Sequence, residues 1–366
     1  MKLLIDPQVF WWQKTGGVSR YFFEVISKAE KISEVEVSFP VFAHENQYIK
    51  NLCNPKAGKL LNRLYGQRFR GVTTVRNFLI PNRKYANKEI ARNEHDVLAP
   101  TFFEPYFLNE NKKPIVLTIH DMTHELFPQF FKKNDPVAEW KRQLAFSAEK
   151  IIAISENTKR DILDIYGDDF DEKTSVVYNG NDFHNVKPEH VQGLPDNYFL
   201  YVGARVGYKN FNWLINEISD IIKESNCSLL CIGGGAFSNS EKKLFHKLGV
   251  EMNIKQMSCS DSQLAGLYER SSALIYPSLY EGFGMPVLEA MSHKCPVILS
   301  KSSSFPEVAG KYGHYFESDS DLHDLVKTFA MKSREDQFLE DAKSWSKNFN
   351  WDQSVQSIIN IYRQSY

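Results

Sequence analysis

The chain has 366 residues, 42% of them apolar, and 44 basic against 45 acidic side chains leave a net charge of −1. That length predicts two domains rather than one core, and the near-neutral charge gives no global field for nucleic acid. No apolar run reaches the roughly 20 residues that a transmembrane helix requires. Cys53, Cys227, Cys231, Cys259 and Cys295 are odd in number and form no C-x-x-C pair. They read as reduced cysteines of a cytoplasmic protein, with neither a disulfide framework nor a zinc site, and Cys231 as a core residue.

In chain order, residues 2–6 form an apolar run too short for a signal peptide and read as the first strand. Further strands are predicted over 35–42, 96–100, 115–120, 150–155 and 175–178. Helical periodicity covers 18–29, 138–148 and 156–166. Residues 179–197 are polar, carry Gly180, Gly193 and Pro195, and read as a domain boundary. Beyond them, strands are predicted over 198–202, 228–232, 251–255, 273–276, 297–300 and 314–316. Helices are predicted over 210–223, 240–248, 261–270 and 286–292, with an amphipathic helix over 351–366. Alternating β and α segments mean parallel sheets covered on both faces. Two such runs predict an α/β protein of two Rossmann-like domains, 1–180 and 181–350, with parallel sheets facing a central cleft. Ligands of such sheets gather at the C-terminal ends of the strands.

Glu281 and Glu289 stand eight positions apart in Tyr276-Pro-Ser-Leu-Tyr-Glu-Gly-Phe-Gly-Met-Pro-Val-Leu-Glu-Ala-Met291. A strand enters this loop, and a helix beginning near Pro286 leaves it. Proline suits the first helical turn because its missing N–H is not needed there. The helix N-terminus then offers backbone N–H groups and a favourable dipole to a phosphate. An acid on either side suits a ligand with hydroxyls at both ends of a diphosphate, such as a nucleotide sugar. The bland alternative is a capped, solvated helix end.

Arg205 and Lys209, in Gly203-Ala-Arg-Val-Gly-Tyr-Lys-Asn210, lie between a strand end and a helix start, where two cations suit a diphosphate. Surface cations of an ordinary loop are the commoner case. Gly16-Gly17 follows the first strand and opens a helix, so the backbone can approach a ligand closely there, although a plain turn explains the pair as well. His120 ends an apolar run, where a hydrogen-bonded core histidine is the favoured reading on residues alone. His95-Asp96 precedes a strand and so lies at the other edge. His124 follows in the loop after His120. Ile232-Gly-Gly-Gly235 lacks the G-x-G-x-x-G spacing of a dinucleotide fold. Asp169-Phe-Asp171 has the spacing of a metal-binding D-x-D, but it enters a strand and reads as a solvated acidic turn. No cluster elsewhere has metal-ligand spacing.

Residues 50–92 hold eleven Lys/Arg and one acid, Glu89. Leu60, Leu61, Leu64, Tyr65 and Phe69 recur among them at roughly helical spacing. Such a basic amphipathic stretch suits an anionic membrane surface such as the inner leaflet, or else a solvated basic face or a nucleic-acid patch.

Across nearly its whole length the sequence resembles the retaining GT-B glycosyltransferases of family 4, the group 1 family. The E-x7-E pair Glu281/Glu289 carries the resemblance. Tyr276-Pro-Ser before it, and Cys295-Pro-Val-Ile-Leu-Ser300 and Ser303-Ser-Phe-Pro-Glu-Val-Ala-Gly310 after it, extend the match. The resemblance implies transfer of a hexose from GDP-mannose or a UDP-hexose to a glycan or lipid-diphosphate-linked acceptor of surface polysaccharide. The nucleotide sugar would be co-substrate, with no metal or cofactor.

Under this resemblance Lys209 and Arg205 hold the donor diphosphate, Lys209 matching the family more closely. Glu289 takes the ribose, and Glu281 the sugar hydroxyls. Gly282, Phe283, Gly284, Met285, Pro286 and Val287 supply the loop and helix start. Residues 255–257 fall where the family meets the nucleobase. Gly16, Gly17 and His120 line the acceptor side, and the last helix crosses back onto the first domain. Ser292-His-Lys294 departs from the small residue and glycine of many relatives, and reads as a change in a surface turn. Three other readings stay open: a sugar-nucleotide epimerase, a non-catalytic assembly factor at a membrane, and a nicotinamide dehydrogenase, which the missing glycine fingerprint disfavours.

Overall fold

A computed structural model of the protein describes residues 1–52, 74–331 and 336–366. The chain divides into two units, Met1–Asn179 with Trp351–Tyr366, and Gly180–Asn350.

In the first unit the strands are β1 (Lys2–Asp6), β2 (Glu36–Ser38), β3 (Val97–Pro100), β4 (Val116–Ile119), β5 (Lys150–Ala153) and β6 (Thr174–Val176). All pair in parallel, in the order β2–β1–β3 and β4–β5–β6. A bridge from Leu98 to Ile115 joins the two sets. The interior strands are apolar on both faces because helices cover both. Those helices are α1 (Gln8–Trp12), α2 (Gly17–Ala29), α3 (Thr74–Ile90), α4 (Thr123–Leu126), α5 (Val137–Ser147) and α6 (Glu156–Tyr166). The C-terminal helix, Trp351–Arg363, belongs to this unit and packs on α2. Trp351 meets Tyr21 edge-on at 5.7 Å, and Lys28 pairs with Asp352 at 2.8 Å. The Ser354 hydroxyl donates to the Tyr178 carbonyl at 2.7 Å.

The second unit holds one six-stranded parallel sheet in the order β12–β11–β10–β7–β8–β9. Its strands are β7 (Tyr198–Val202), β8 (Ser228–Ile232), β9 (Ile254–Met257), β10 (Leu274–Tyr276), β11 (Val297–Ser300) and β12 (His314–Phe316). Helices α7 (Phe211–Glu224), α8 (Asn239–Leu248), α9 (Asp261–Arg270), α10 (Met285–Ser292), α11 (Phe305–Ala309), α12 (Asp319–Ala330) and α13 (Asp336–Ser346) surround it. Phe199, Tyr201, Leu229 and Ile275 of the sheet pack against Phe211, Leu214, Ile218 and Ile222 of α7.

Each sheet has a point where the chain order reverses. In the first unit it lies between β1 and β3, in the second between β7 and β10. Loops leaving neighbouring strands diverge at such a point and open a crevice for ligands.

Three expectations need correction. The strand expected over 35–42 is only Glu36–Ser38. The strand expected over 251–255 starts at Ile254, because Gly249 ends α8 in the left-handed region and a turn closed by Asn253 N–H on the Val250 carbonyl uses up the next residues. The helical periodicity also leaves out Thr74–Ile90, which is helical despite Pro81, and α1, α4, α11, α12 and α13. Ser292-His293 is not a surface turn. Both side chains are buried, the Ser292 hydroxyl accepting from the Asn181 amide at 2.8 Å and His293 Nε2 meeting the Phe183 carbonyl at 3.0 Å. Only Lys294 takes the left-handed backbone (φ +56°) that a glycine would favour.

Candidate donor site

The loop after β10 begins at Pro277 and ends at Gly284, which caps α10 with φ +92°. A Cβ there would lie 3.0 Å from Phe305 Cε1 in a backbone region that L-residues avoid. Gly284→Ala is therefore expected to cost about 1–3 kcal/mol and to shift the start of α10. A lower melting temperature with weakened nucleotide binding is the expected readout, and an unchanged melting curve contradicts it. Val287 N–H donates to the Gly284 carbonyl at 2.9 Å, and Pro286 occupies the first turn as expected. Gly282 and Phe283 are buried, and Met285 and Pro286 half-buried.

Ser303 and Ser304, beyond β11, hold this loop from below. The Ser303 hydroxyl accepts from Glu281 N–H at 2.9 Å, and it also lies 3.0 Å from the Glu281 carbonyl. The Ser304 hydroxyl reaches the Glu281 and Phe283 carbonyls at 2.9 and 3.0 Å.

The loop after β7 meets the loop after β10 at the reversal point. Leu279 N–H donates to the Tyr208 carbonyl at 2.8 Å. Lys209 Nζ lies 2.5 Å from Glu281 Oε1, which also accepts from the Ser278 hydroxyl at 2.7 Å. The pair is mostly enclosed, with 16% and 11% of the two side chains exposed. Burial first, and then the Glu281 charge, hold the Tyr201 and Tyr276 phenols far above their usual range, so both stay protonated.

Arg205 does not join this pair. Its Nε donates to Glu241 Oε1 at 2.7 Å, Nη1 to the Gly233 carbonyl at 3.0 Å, and Nη2 to the Gly235 and Ala236 carbonyls at 3.0 and 3.3 Å. The guanidinium lies over Phe237 at 4.7 Å and leaves only 3% of its side chain exposed. Gly233, Gly234 and Gly235 all have positive φ, and a Cβ on Gly234 would sit 2.6 Å from Arg205 Nη1. The triple glycine thus wraps an arginine. Glu241 closes the arrangement by also capping α8, accepting from Ser238 N–H at 2.6 Å. Burial opposes ionisation of Glu241, but Arg205 and Ser238 outweigh it and hold the carboxyl below its usual range.

Glu289 is buried one turn into α10. It faces Tyr268 of α9 and neighbours Cys259 in the loop after β9. Burial, and then the Glu289 charge, raise the Tyr268 phenol. The Cys259 thiol is pushed up to about 11 by burial, with Asp261 and Glu289 adding to it. Residues 255–257, the expected nucleobase segment, run to the end of β9, where the Met257 carbonyl accepts from Gly233 N–H at 3.4 Å.

In the first unit Gly16 caps α2 in extended conformation, and a Cβ there would collide with Gln13 Oε1 at 2.4 Å. Gly17 faces open space, and nothing in the structure explains glycine at that position. His120 follows β4 and packs edge-on against Tyr21 at 4.9 Å and Phe22 at 5.9 Å. Burial pushes its pKa down to about 4, Lys141 adding to the effect and Asp121 opposing it. His120 is therefore neutral at pH 7. As pH falls from 6.5 towards 4 the unfolded chain takes this proton first, so the residue withdraws stability across that window. The imidazole C2–H resonance of His120 should stay flat from pH 8 to 5.5, and an inflection near 6.5 contradicts this.

His124 stacks on Phe131 at 3.8 Å. His95 lies at the opposite strand edge, its Nε2 on Asn111 Oδ1 at 3.0 Å. Asp169 and Asp171 are exposed around buried Phe170, and Asp171 pairs with Lys159 at 2.7 Å. Among the described residues no three His, Cys, Asp or Glu side chains gather as a metal site. The amphipathic core of the basic stretch, 60–69, lies outside the described residues. Within the rest, Arg83 pairs with Glu104 and Arg92 with Glu89. Among the described residues no helix is long and apolar enough to cross a membrane.

Residues 15–184 match the model of Glycosyltransferase Family 4, and residues 182–349 that of Glycosyl transferases group 1. The chain belongs to the group 1, family 4 glycosyltransferases. This glycosyltransferase is 25% identical to the O-antigen chain mannosyltransferase B of Escherichia coli, over 99% of its own length and all of that protein. It is 27% identical to the O-antigen chain mannosyltransferase RfbU of Salmonella typhimurium, over 65% of its own length and 63% of the relative. Among solved structures, Anabaena Alr3699/HepE in complex with UDP and glucose superposes with a TM-score of 0.69 at 18% identity, over 98% of each chain. That likeness gives the fold, GT-B, with its parallel sheets in two domains.

The loops that carry Lys209, Glu281 and Arg205 thus rest on residues to which the sequence analysis assigns no role. Ser278, Ser303 and Ser304 fix the Glu281 loop, and Glu241 holds Arg205. The serines stand in the segments that extend the family match, Tyr276-Pro-Ser278 and Ser303 to Gly310, but nothing in the sequence pairs them with Glu281. Glu241 carries no signal, since it reads as an ordinary helix cap.

Proposed function

We propose that the protein transfers a hexose, with retention of anomeric configuration, from a nucleoside diphosphate sugar to a glycan or lipid-linked glycan of surface polysaccharide. The observation that carries this reading is the enclosed Lys209–Glu281 pair at the β7/β10 reversal point, with Glu289 one turn into the adjoining helix. Lys209 supplies the cation for the diphosphate, helped by the first turn of α10. In this reading Glu281 turns to the sugar hydroxyls, and Glu289 accepts from the ribose. The developing charge falls on the leaving phosphate, which also takes the acceptor's proton, so no protein base and no metal is assigned. Arg205 acts from behind, by shaping the glycine loop after β8.

GDP-mannose is the first donor proposed, since the O-antigen relatives named above are mannosyltransferases. A UDP-hexose is the second, favoured by the UDP and glucose bound in the Anabaena fold relative. Incubation with radiolabelled GDP-mannose or UDP-glucose, in EDTA and with a mannose-terminated oligosaccharide, tests the reading. An α-linked product by NMR supports it. Absence of both transfer and donor hydrolysis with every donor sinks it.

A further inference from the structure

The first unit has its own reversal point, between β1 and β3. Asp6 ends β1 and stands beside Pro100, which ends β3. The segments that follow these strands carry two half-buried aromatic rings, Trp12 at the end of α1 and Phe102 beyond β3, whose centroids lie 4.6 Å apart at 64°. Their neighbours Trp11 and Phe103 are buried and belong to the core.

These segments are bound to each other with unusual completeness. The Gln8 side chain pairs with the backbone of Glu104, Nε2 donating to its carbonyl at 2.9 Å and Oε1 accepting its N–H at 3.0 Å. Val9 N–H donates to the Thr101 hydroxyl at 2.9 Å. The fully buried Asp6 carboxyl accepts from Gln8 Nε2 at 2.5 Å and from the Tyr106 hydroxyl. Arg83 holds the Glu104 carboxylate and lies 5.7 Å from the Tyr106 ring. Burying a carboxyl is costly unless it is paired, and burial pushes Asp6 up to about 7 even against its hydrogen bonds. Support of this kind holds the two segments together, and Phe102 also packs against the core, so the rings are placed before any ligand arrives.

We propose that Trp12 and Phe102 form a saccharide subsite that takes the terminal pyranose ring of the acceptor glycan. The proposal rests on the transferase reading for the word acceptor. An aromatic face matches the apolar C–H face of a pyranose, while nearby polar groups orient the hydroxyls. The indole N–H of Trp12 is enclosed and has no acceptor among the described residues. Gln13 and Lys14 follow Trp12 in the chain, and Lys14 pairs with Glu45 at 3.1 Å.

Saturation-transfer NMR on the full chain, with α-1,3-mannobiose as probe and no donor present, tests the subsite. The wild type should transfer magnetisation from aromatic protons to the ring C–H groups. Trp12→Ala and Phe102→Ala should weaken binding at least tenfold, and Trp12→Phe about threefold. Phe130→Ala, an exposed aromatic elsewhere in the unit, serves as the control and should change nothing. The GDP- or UDP-induced rise in melting temperature should survive in every variant, which also shows that each has folded. Wild-type binding that persists in Trp12→Ala and Phe102→Ala overturns the subsite, as does the absence of binding in the wild type. A wild type that binds the probe through Trp12 but gains no stability from any nucleoside diphosphate keeps the subsite and refutes the transferase reading.

Discussion

Lys209→Ala is expected to lower kcat/KM for sugar transfer by about a thousandfold, the loss of roughly 4 kcal/mol of charge stabilisation on the leaving diphosphate. The same change strands the Glu281 carboxylate, enclosed at 11% exposure with the Ser278 hydroxyl beside it. The melting temperature should therefore fall as well, because breaking an enclosed pair leaves an uncompensated charge. Glu281→Gln on the same background should restore stability without restoring activity. The two substitutions share one contact, so their effects should not add. Lys209→Arg should recover only part of the rate, since a planar fork does not replace a point charge in a space shaped for an ammonium. Steady-state kinetics with the working donor gives the answer, and a loss smaller than tenfold contradicts the role assigned to Lys209.

Glu289→Gln is expected to raise the dissociation constant of the nucleoside diphosphate by 10- to 100-fold, while the fold remains intact. A hydrogen bond to a charged group contributes about 1.5–3 kcal/mol, and the amide keeps the carboxylate's shape without its charge. Calorimetric titration should show a second signature. The wild type should discriminate strongly against a nucleotide lacking the ribose hydroxyls, and the variant should not. Equal binding of ribose and deoxyribose forms by the wild type removes Glu289 from the ribose site.

The local structure of the candidate site's loops was largely legible because its signals are local. Glu281, the glycines and Pro286 announce a strand, a loop and a helix start within a dozen residues, and Lys209 sits in an equivalent loop. The structure adds that the two strands are sheet neighbours, which no local pattern could supply. Arg205 shows the limit. Its sequence context reads as a phosphate cation, but its partner, Glu241, lies 36 residues away and the carbonyls it gathers lie 28 to 31 away. The serines that clamp the Glu281 loop come from 22 and 23 residues beyond it. Ser292-His293 was misread for the same reason, since Asn181 and Phe183, which bury it, lie about 110 positions earlier. Trp12 and Phe102 gave no sequence signal at all, because only the pairing of β1 with β3 brings their segments together. Helix Thr74–Ile90 was obscured by its proline and its many charges, and tertiary packing overrides both.

The most direct test is the melting temperature of the wild type and of Lys209→Ala with UDP, GDP, dTDP and ADP, all in EDTA. A ligand at a hundred times its dissociation constant adds about 2.7 kcal/mol to the folded state. One of GDP or UDP should raise the wild-type melting temperature by several degrees and leave Lys209→Ala nearly unmoved. If no diphosphate stabilises the wild type at millimolar concentration, or if the variant responds equally, the donor site is not where the Lys209–Glu281 pair lies.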